Sequence, residues 1–133
     1  MEIINNTKTG TMEKVRVFID WCDKNFVASC VSEKFGALIV TDKTEQHIKE
    51  RFEDAFEFHT EGKLKASFIY DYSVSAKMQV ALQYITLTAL RRMTGIKHAQ
   101  LSHYANATSV PKKPQYDKIM GGLHSIGKII STI

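Results

Sequence analysis

Residues 90–106 read LRRMTGIKHAQLSHYAN, and the reading of this stretch decides the fold of the C-terminal half. Residues 87–93 carry one short helical pattern and residues 97–106 a second; Gly95 and Ile96 make a tight turn between them, with glycine supplying the left-handed backbone. Leu90, Ile96 and Leu101 then form a small apolar core that sets the angle between the helices, which is helix-turn-helix geometry. At about 100° per residue, burying Leu101 and Tyr104 turns Ala99, Ser102, His103 and Asn106 to the opposite side, with His98 and Gln100 at its edges. That face carries no carboxylate. Its donors and acceptors suit base edges of DNA, and Arg91, Arg92, Lys97, Lys112 and Lys113 suit phosphates.

On the C-terminal side a basic loop, Val110-Pro111-Lys112-Lys113-Pro114, leads into a last helix expected from Gln115 onward. Tyr116, Ile119, Leu123, Ile126, Ile130 and Ile133 recur there at alternating three- and four-residue spacing, a heptad seam. The seam packs on its own domain, or else Ile119, Leu123, Ile126 and Ile130 make a dimer contact. Gly121, Gly122 and Gly127, each costing roughly 1 kcal/mol of helix stability, favour the first. On the N-terminal side, Met78, Ala81, Leu82 and Ile85 form the apolar face of another helix.

Before Ser73 the period is different. Val15, Val17, Ile19 and Trp21 alternate with Arg16, Phe18 and Asp20 as a half-buried strand. Asp23-Lys24-Asn25 turns the chain, residues 26–31 pair back, and residues 37–41 form a third strand. Ile48, Phe52, Ala55, Phe56 and His59 then lie on one side of a helix, capped by Thr44 or Asp42 and closed by Gly62 as its C′ residue. Phe68, Tyr70 and Tyr72 alternate with Ser67, Ile69 and Asp71 as a fourth strand. The expected architecture is α+β: a polar lead-in over residues 1–12, a β-β-β-α-β domain over 13–73, and an all-helical domain over 74–133.

Charge follows the same division. Residues 1–74 hold ten Lys and Arg against thirteen Asp and Glu, a balance of −3, whereas residues 75–133 hold eight against Asp117 alone, a balance of +7. The second half attracts polyanions and the first repels them. With 44% hydrophobic and 24% charged residues the chain is a globular one and not a disordered or fibrous one. It has no apolar run of the roughly 20 residues needed to span a bilayer and no apolar stretch near its N-terminus, so a cytoplasmic protein without membrane contact is expected. Cys22 and Cys30 match no zinc pattern and are expected as reduced thiols; no metal or cofactor is expected.

Leu90, Gly95, Ile96, Leu101, Ser102, Tyr104 and Asn106 resemble the core of the Cro/repressor type of helix-turn-helix. The chain over about residues 13–131 resembles the HicB family of antitoxins: GALIVTDKT with EQHIKERFEDAFEFHTEG is similar to its third strand and helix, and LSHYANATSVPKKP with GGLHSIGKIIS to its DNA-binding part. The resemblance implies a partial RNase H-like domain that binds and silences a HicA-type toxin, a small basic ribonuclease that cleaves mRNA. It further implies a helix-turn-helix domain that represses the operon by binding operator double-stranded DNA as a homodimer or higher oligomer. Three positions depart from the repressor pattern: Arg91 where Ala is common, Ala107 where Gly is common, and Leu87 where a phosphate-contacting Gln is common.

An RNase H-like topology raises the question of a two-metal nuclease. Asp20, Asp42, Glu53, Asp54, Glu57 and Asp71 lack the spacing that brings carboxylates to a pair of ions, and the helical acids lie among Lys49 and Arg51 as a solvated face. His47 and His59 have no partner at ligand spacing and read as structural. No catalytic activity is expected. The alternative of a different class is a solitary transcription regulator whose first domain senses a small ligand.

Overall fold

The computed structural model describes residues 12–133, so residues 1–11 of the expected lead-in lie outside the described residues. The elements are β1 (Glu13–Cys22), β2 (Asn25–Ser32), β3 (Gly36–Asp42), α1 (Glu45–His59), β4 (Ala66–Tyr72), α2 (Val74–Ala81), α3 (Leu87–Thr94), α4 (His98–Ala105) and α5 (Lys113–Ser131). The architecture is α+β, with a four-stranded mixed sheet and five helices among the described residues. No helix among these residues is long and apolar enough to cross a membrane.

The sheet has the order β3-β2-β1-β4. Asp23 and Lys24 join β1 to β2 with φ of 51° and 64°, the paired left-handed residues of a type I′ turn, whose twist matches the flanking strands. Neither is glycine, so each carries an αL penalty of roughly 1 kcal/mol that the hairpin must offset. β2 and β3 are antiparallel, in register from Phe26 opposite Asp42 to Ser32 opposite Gly36. The Glu13 amide donates to the Lys65 carbonyl (2.9 Å), placing the starts of β1 and β4 side by side and the two strands parallel.

Two compact units divide the chain: one holds the chain up to Ile19 with Asn25–Asp71, the other Asp20–Lys24 with Tyr72–Ile133. In the first, Val15, Val17 and Ile19 of β1 and Phe26 and Ala28 of β2 are buried beneath Ile48, Phe52 and Phe56 of α1. Phe56 meets Phe35 and Phe68 edge-on, at centroid distances of 4.9 and 5.3 Å. α1 covers one face of the sheet; Phe18, Val31 and Ile39 alternate out of the other and are exposed. Thr44 is the N-cap, its hydroxyl accepting from the His47 amide (3.2 Å).

Two expectations for α1 need correction. His59 is exposed instead of lying on the core face, and its Nε2 sits 2.6 Å from the Phe35 carbonyl, tying the end of α1 to the β2–β3 loop. The C′ residue is not Gly62 but Glu61, left-handed at φ 56°. The Gly62 amide donates to Glu57 (2.9 Å) and the Glu61 amide to Phe58 (3.2 Å), a complete Schellman motif with glycine one position later.

In the second unit Asp20 Oδ1 accepts from the Ser73 hydroxyl (2.7 Å), and Ser73 caps α2 by accepting from the Ala76 amide (3.1 Å). This contact joins residues 20–24 to the helices. Met78, Leu90, Ile96, Leu101, Tyr104, Ala105 and Ile119 form the buried core. α5 begins at Lys113, two residues before the expected start, because Pro114 sits in the first turn, where its missing N–H costs nothing. Neither Cys22 nor Cys30 is in a disulfide; Cys30 is buried, which pushes its thiol pKa up.

Candidate nucleic-acid interface

α3 ends at Gly95, left-handed at φ 74°, whose amide donates to the Arg91 carbonyl (2.8 Å). The Thr94 hydroxyl donates to the Leu90 carbonyl (2.8 Å) and accepts from the Ile96 amide (3.1 Å), closing the turn from its inner side. Leu90, Ile96 and Leu101 are buried, so the angle between α3 and α4 is set by apolar packing around these three residues.

The far end of α4 repeats the termination of α1. Ala107 is left-handed at φ 63°; its amide donates to Tyr104 (3.2 Å) and the Thr108 amide to His103 (2.9 Å). Two side chains of α2 also reach these last carbonyls: the buried Ser75 hydroxyl donates to Tyr104 (2.6 Å) and the Gln79 amide to Ala105 (2.8 Å). Helix ends leave carbonyls without intrahelical partners, and here α2 supplies them, fixing α4 against rotation.

With Leu101, Tyr104 and Ala105 turned inward, His98, Ala99, Gln100, His103 and Asn106 are exposed. Ser102 is only half-buried and sits beneath Asn106, whose Nδ2 donates to its hydroxyl (3.3 Å). Gln100 is tethered, since its amide donates to the Tyr104 phenol (2.7 Å), leaving one amide hydrogen and the carbonyl oxygen for another partner. His103 Nδ1 lies 2.9 Å from the Thr108 hydroxyl, which itself reaches the His103 carbonyl (3.0 Å). A hydroxyl that gives its one proton to the carbonyl receives Nδ1–H, so the neutral ring presents Nε2 as an acceptor. No Asp or Glu occurs anywhere from residue 72 to residue 116.

The basic residues divide into groups. Arg91, Lys97 and Lys112 are exposed, and Lys97 stands at the N-terminus of α4, where no side chain caps the helix. Lys113 is paired with Asp117 one turn along α5, Nζ lying 3.2 Å from both carboxylate oxygens, so part of its charge is neutralised. Arg92 lines a shallow groove of about 240 Å³ with Ala89, Met93, Ile126, Ile129 and Ile130.

Of the four seam residues named as possible dimer contacts, Ile119 is fully buried in the core of its own unit and is not available as one. Leu123 and Ile126 pack against that core half-buried, and Ile130 is 62% exposed. Gly122 explains why α5 fits: a Cβ there would lie 2.8 Å from the Thr94 methyl, whereas Gly121 and Gly127 face open space.

The remaining acids are spread over the molecule. Asp20 holds Ser73, Asp71 pairs with Arg16 (2.8 Å), Glu53 accepts from Tyr70, and Asp42 pairs with Arg51 (3.4 Å). Among the described residues no group of three His, Cys, Asp or Glu is placed to hold a metal ion. The residues that position the α4 face, Ser75, Gln79 and Thr108, carry no signal in the sequence, because each acts through a partner that only tertiary packing brings near.

No family model matches the chain, and neither a curated protein nor a solved structure matches it.

Proposed function

We propose that the chain is the antitoxin of a HicAB-type pair, with an α+β unit that binds a small basic ribonuclease toxin and a helix-turn-helix, α3 and α4, that binds operator double-stranded DNA as a dimer. The observation that carries this reading is the exposed face of α4. It offers Gln100, His103 and Asn106 on a segment of sequence without a carboxylate, on a helix whose last turn is held by α2, beside Arg91, Lys97 and Lys112. Polar tips on a rigid helix read base edges in the major groove, and surrounding cations contact phosphates and set the register. The uncapped first-turn amides of α4 suit a phosphate oxygen as well. The acidic balance of residues 1–74 is complementary to a basic toxin, which speeds encounter and selects the partner.

The test is expression of the neighbouring small basic reading frame, alone and together with this chain, followed by co-purification. Growth arrest relieved by this chain in a stable complex is the expected result. Neither arrest nor complex would overturn the toxin half of the proposal. Binding to its own promoter DNA would then leave a solitary regulator.

A further inference from the structure

The exposed polar residues of α4 do not all present the same chemistry to a DNA edge. Gln100 gives one amide hydrogen to the Tyr104 phenol and Asn106 gives one to the Ser102 hydroxyl, so each keeps both a donor and an acceptor. His103 keeps one ring atom only. Its Nδ1 is taken by the Thr108 hydroxyl (2.9 Å), and that hydroxyl also lies 3.0 Å from the His103 carbonyl. If the hydroxyl proton went to Nδ1, two oxygens would meet at the carbonyl with no proton between them; with Nδ1–H as donor both contacts are attractive. The left-handed Ala107 (φ 63°) turns the chain back towards His103, and the Thr108 amide, donating to the same carbonyl (2.9 Å), holds it there. A carboxylate is a common partner for fixing a histidine tautomer. Beside DNA it would repel phosphates, and none occurs from residue 72 to residue 116. The neutral hydroxyl fixes the ring without the charge.

We propose that Thr108 is a positioning residue for sequence recognition: it fixes His103 with Nε2 as a bare acceptor, and His103 then reads a base whose major-groove edge carries an exocyclic amine. Cytosine N4 and adenine N6 are the donors available there, whereas guanine O6 and N7 and thymine O4 are acceptors. Against guanine or thymine the Nε2 lone pair faces another acceptor and both lose their water without a partner, so these bases are refused at this position. The inference rests on the reading of α4 as the recognition helix. It adds which bases His103 selects and which residue, outside that helix, makes the selection. Without the Thr108 hydroxyl the neutral ring is free to carry its proton on Nε2, which becomes a donor, and the selection turns towards guanine or thymine.

The test has two parts, both on the full chain at about pH 8, where a free imidazole is neutral. Long-range proton–nitrogen NMR correlation on the protein without DNA should show His103 protonated on Nδ1. Thr108→Ser should retain that tautomer and Thr108→Val should shift it towards Nε2–H, with circular dichroism showing that each variant folds. Anisotropy is then measured on the chain's own promoter duplex carrying, one position at a time, purine for adenine or a pyrimidinone for cytosine, analogues that lack the exocyclic amine. One such deletion should weaken wild-type binding on the order of tenfold, leave His103→Ala and Thr108→Val unaffected, and act on Thr108→Ser as on the wild type. At that position Thr108→Val should accept guanine or thymine better than the wild type does. An Nε2–H tautomer in the wild type, a tautomer unmoved in Thr108→Val, or the absence of any amine deletion to which the wild type responds and His103→Ala does not, overturns the proposal. A wild type that binds none of the duplexes overturns the reading of α4 as well, and the NMR result, obtained without DNA, keeps that failure apart from one at Thr108.

Discussion

The Ser75 hydroxyl, only 5% exposed, donates to the main-chain carbonyl of Tyr104 across 2.6 Å. A side chain on the first turn of α2 thereby fixes the last turn of α4, whose outer face carries the proposed base-reading residues. Tyr104 O also accepts from the Ala107 amide, so the carbonyl is not orphaned when Ser75 is cut back. Ser75→Ala should therefore cost about 1 kcal/mol of stability, the typical net contribution of one hydrogen bond, rather than the larger penalty of an unsatisfied group. Thermal unfolding of the two proteins measures the difference. DNA affinity should fall further than the stability loss alone accounts for, because α4 gains freedom.

Ala107 occupies a left-handed conformation at φ 63° that costs an L-residue roughly 1–2 kcal/mol. Glycine loses that strain and returns about 0.5–1 kcal/mol of it in unfolded-state entropy. Ala107→Gly should stabilise the second unit by up to about 1 kcal/mol, measured by urea denaturation. No gain would mean that the Schellman geometry at this end of α4 is not the one described.

The glycines of α5 should behave oppositely. Gly121→Ala meets open space and should gain up to about 1 kcal/mol from helix propensity. Gly122→Ala sets a methyl 2.8 Å from the Thr94 methyl, and Thr94 cannot swing aside without breaking its bonds to Leu90 and Ile96. Overpacking of about 1–3 kcal/mol should exceed the propensity gain, giving a net loss. The melting temperatures of the two variants should move in opposite directions.

The Asp42 carboxyl accepts from the Thr44 amide (3.1 Å), and Arg51 adds a second contact; together with His47 these hold it below the usual carboxylate pKa. A depressed carboxylate stabilises the fold above its unfolded pKa and loses that contribution as pH falls through the folded one. Asp42→Asn should therefore flatten the acid limb of the stability curve of the first unit below about pH 4, where the wild type loses stability, and leave its shape at neutral pH unchanged. Acid titration followed by circular dichroism tests this.

Much of the architecture was legible in the sequence because its signals are local. The alternation of Val15, Val17 and Ile19, the spacing of Ile48, Phe52 and Phe56, and Gly95 after an apolar helix each require only a few neighbouring residues. Two placements at the end of α1 differ from those expected. His59 left the expected core face for a tertiary contact with the Phe35 carbonyl, and Glu61 took the C′ place expected of Gly62 through local Schellman bonds. Of the two roles open to the α5 seam, Ile119 packs in the core of its own unit, the one its glycines favoured. At the candidate interface Ser102, expected outward, is half-buried beneath Asn106, whereas the exposure of His98, Ala99, Gln100, His103 and Asn106 followed from helix geometry. What holds them did not: Ser75, Gln79 and Thr108 act on α4 from α2 and from the following loop, and Asp117 draws Lys113 away from the other cations.

The central claim is that the exposed face of α4 reads DNA sequence. Fluorescence anisotropy on the chain's own promoter DNA and on a scrambled duplex, across a salt series, tests it most directly with wild type, His103→Ala and Lys112→Ala. The account predicts that His103→Ala loses promoter preference while binding scrambled DNA as before. It predicts that Lys112→Ala weakens both alike and lowers the log–log salt slope by about 0.9, one phosphate contact. Equal loss on both duplexes for His103→Ala, or no binding to either by the wild type, would contradict it.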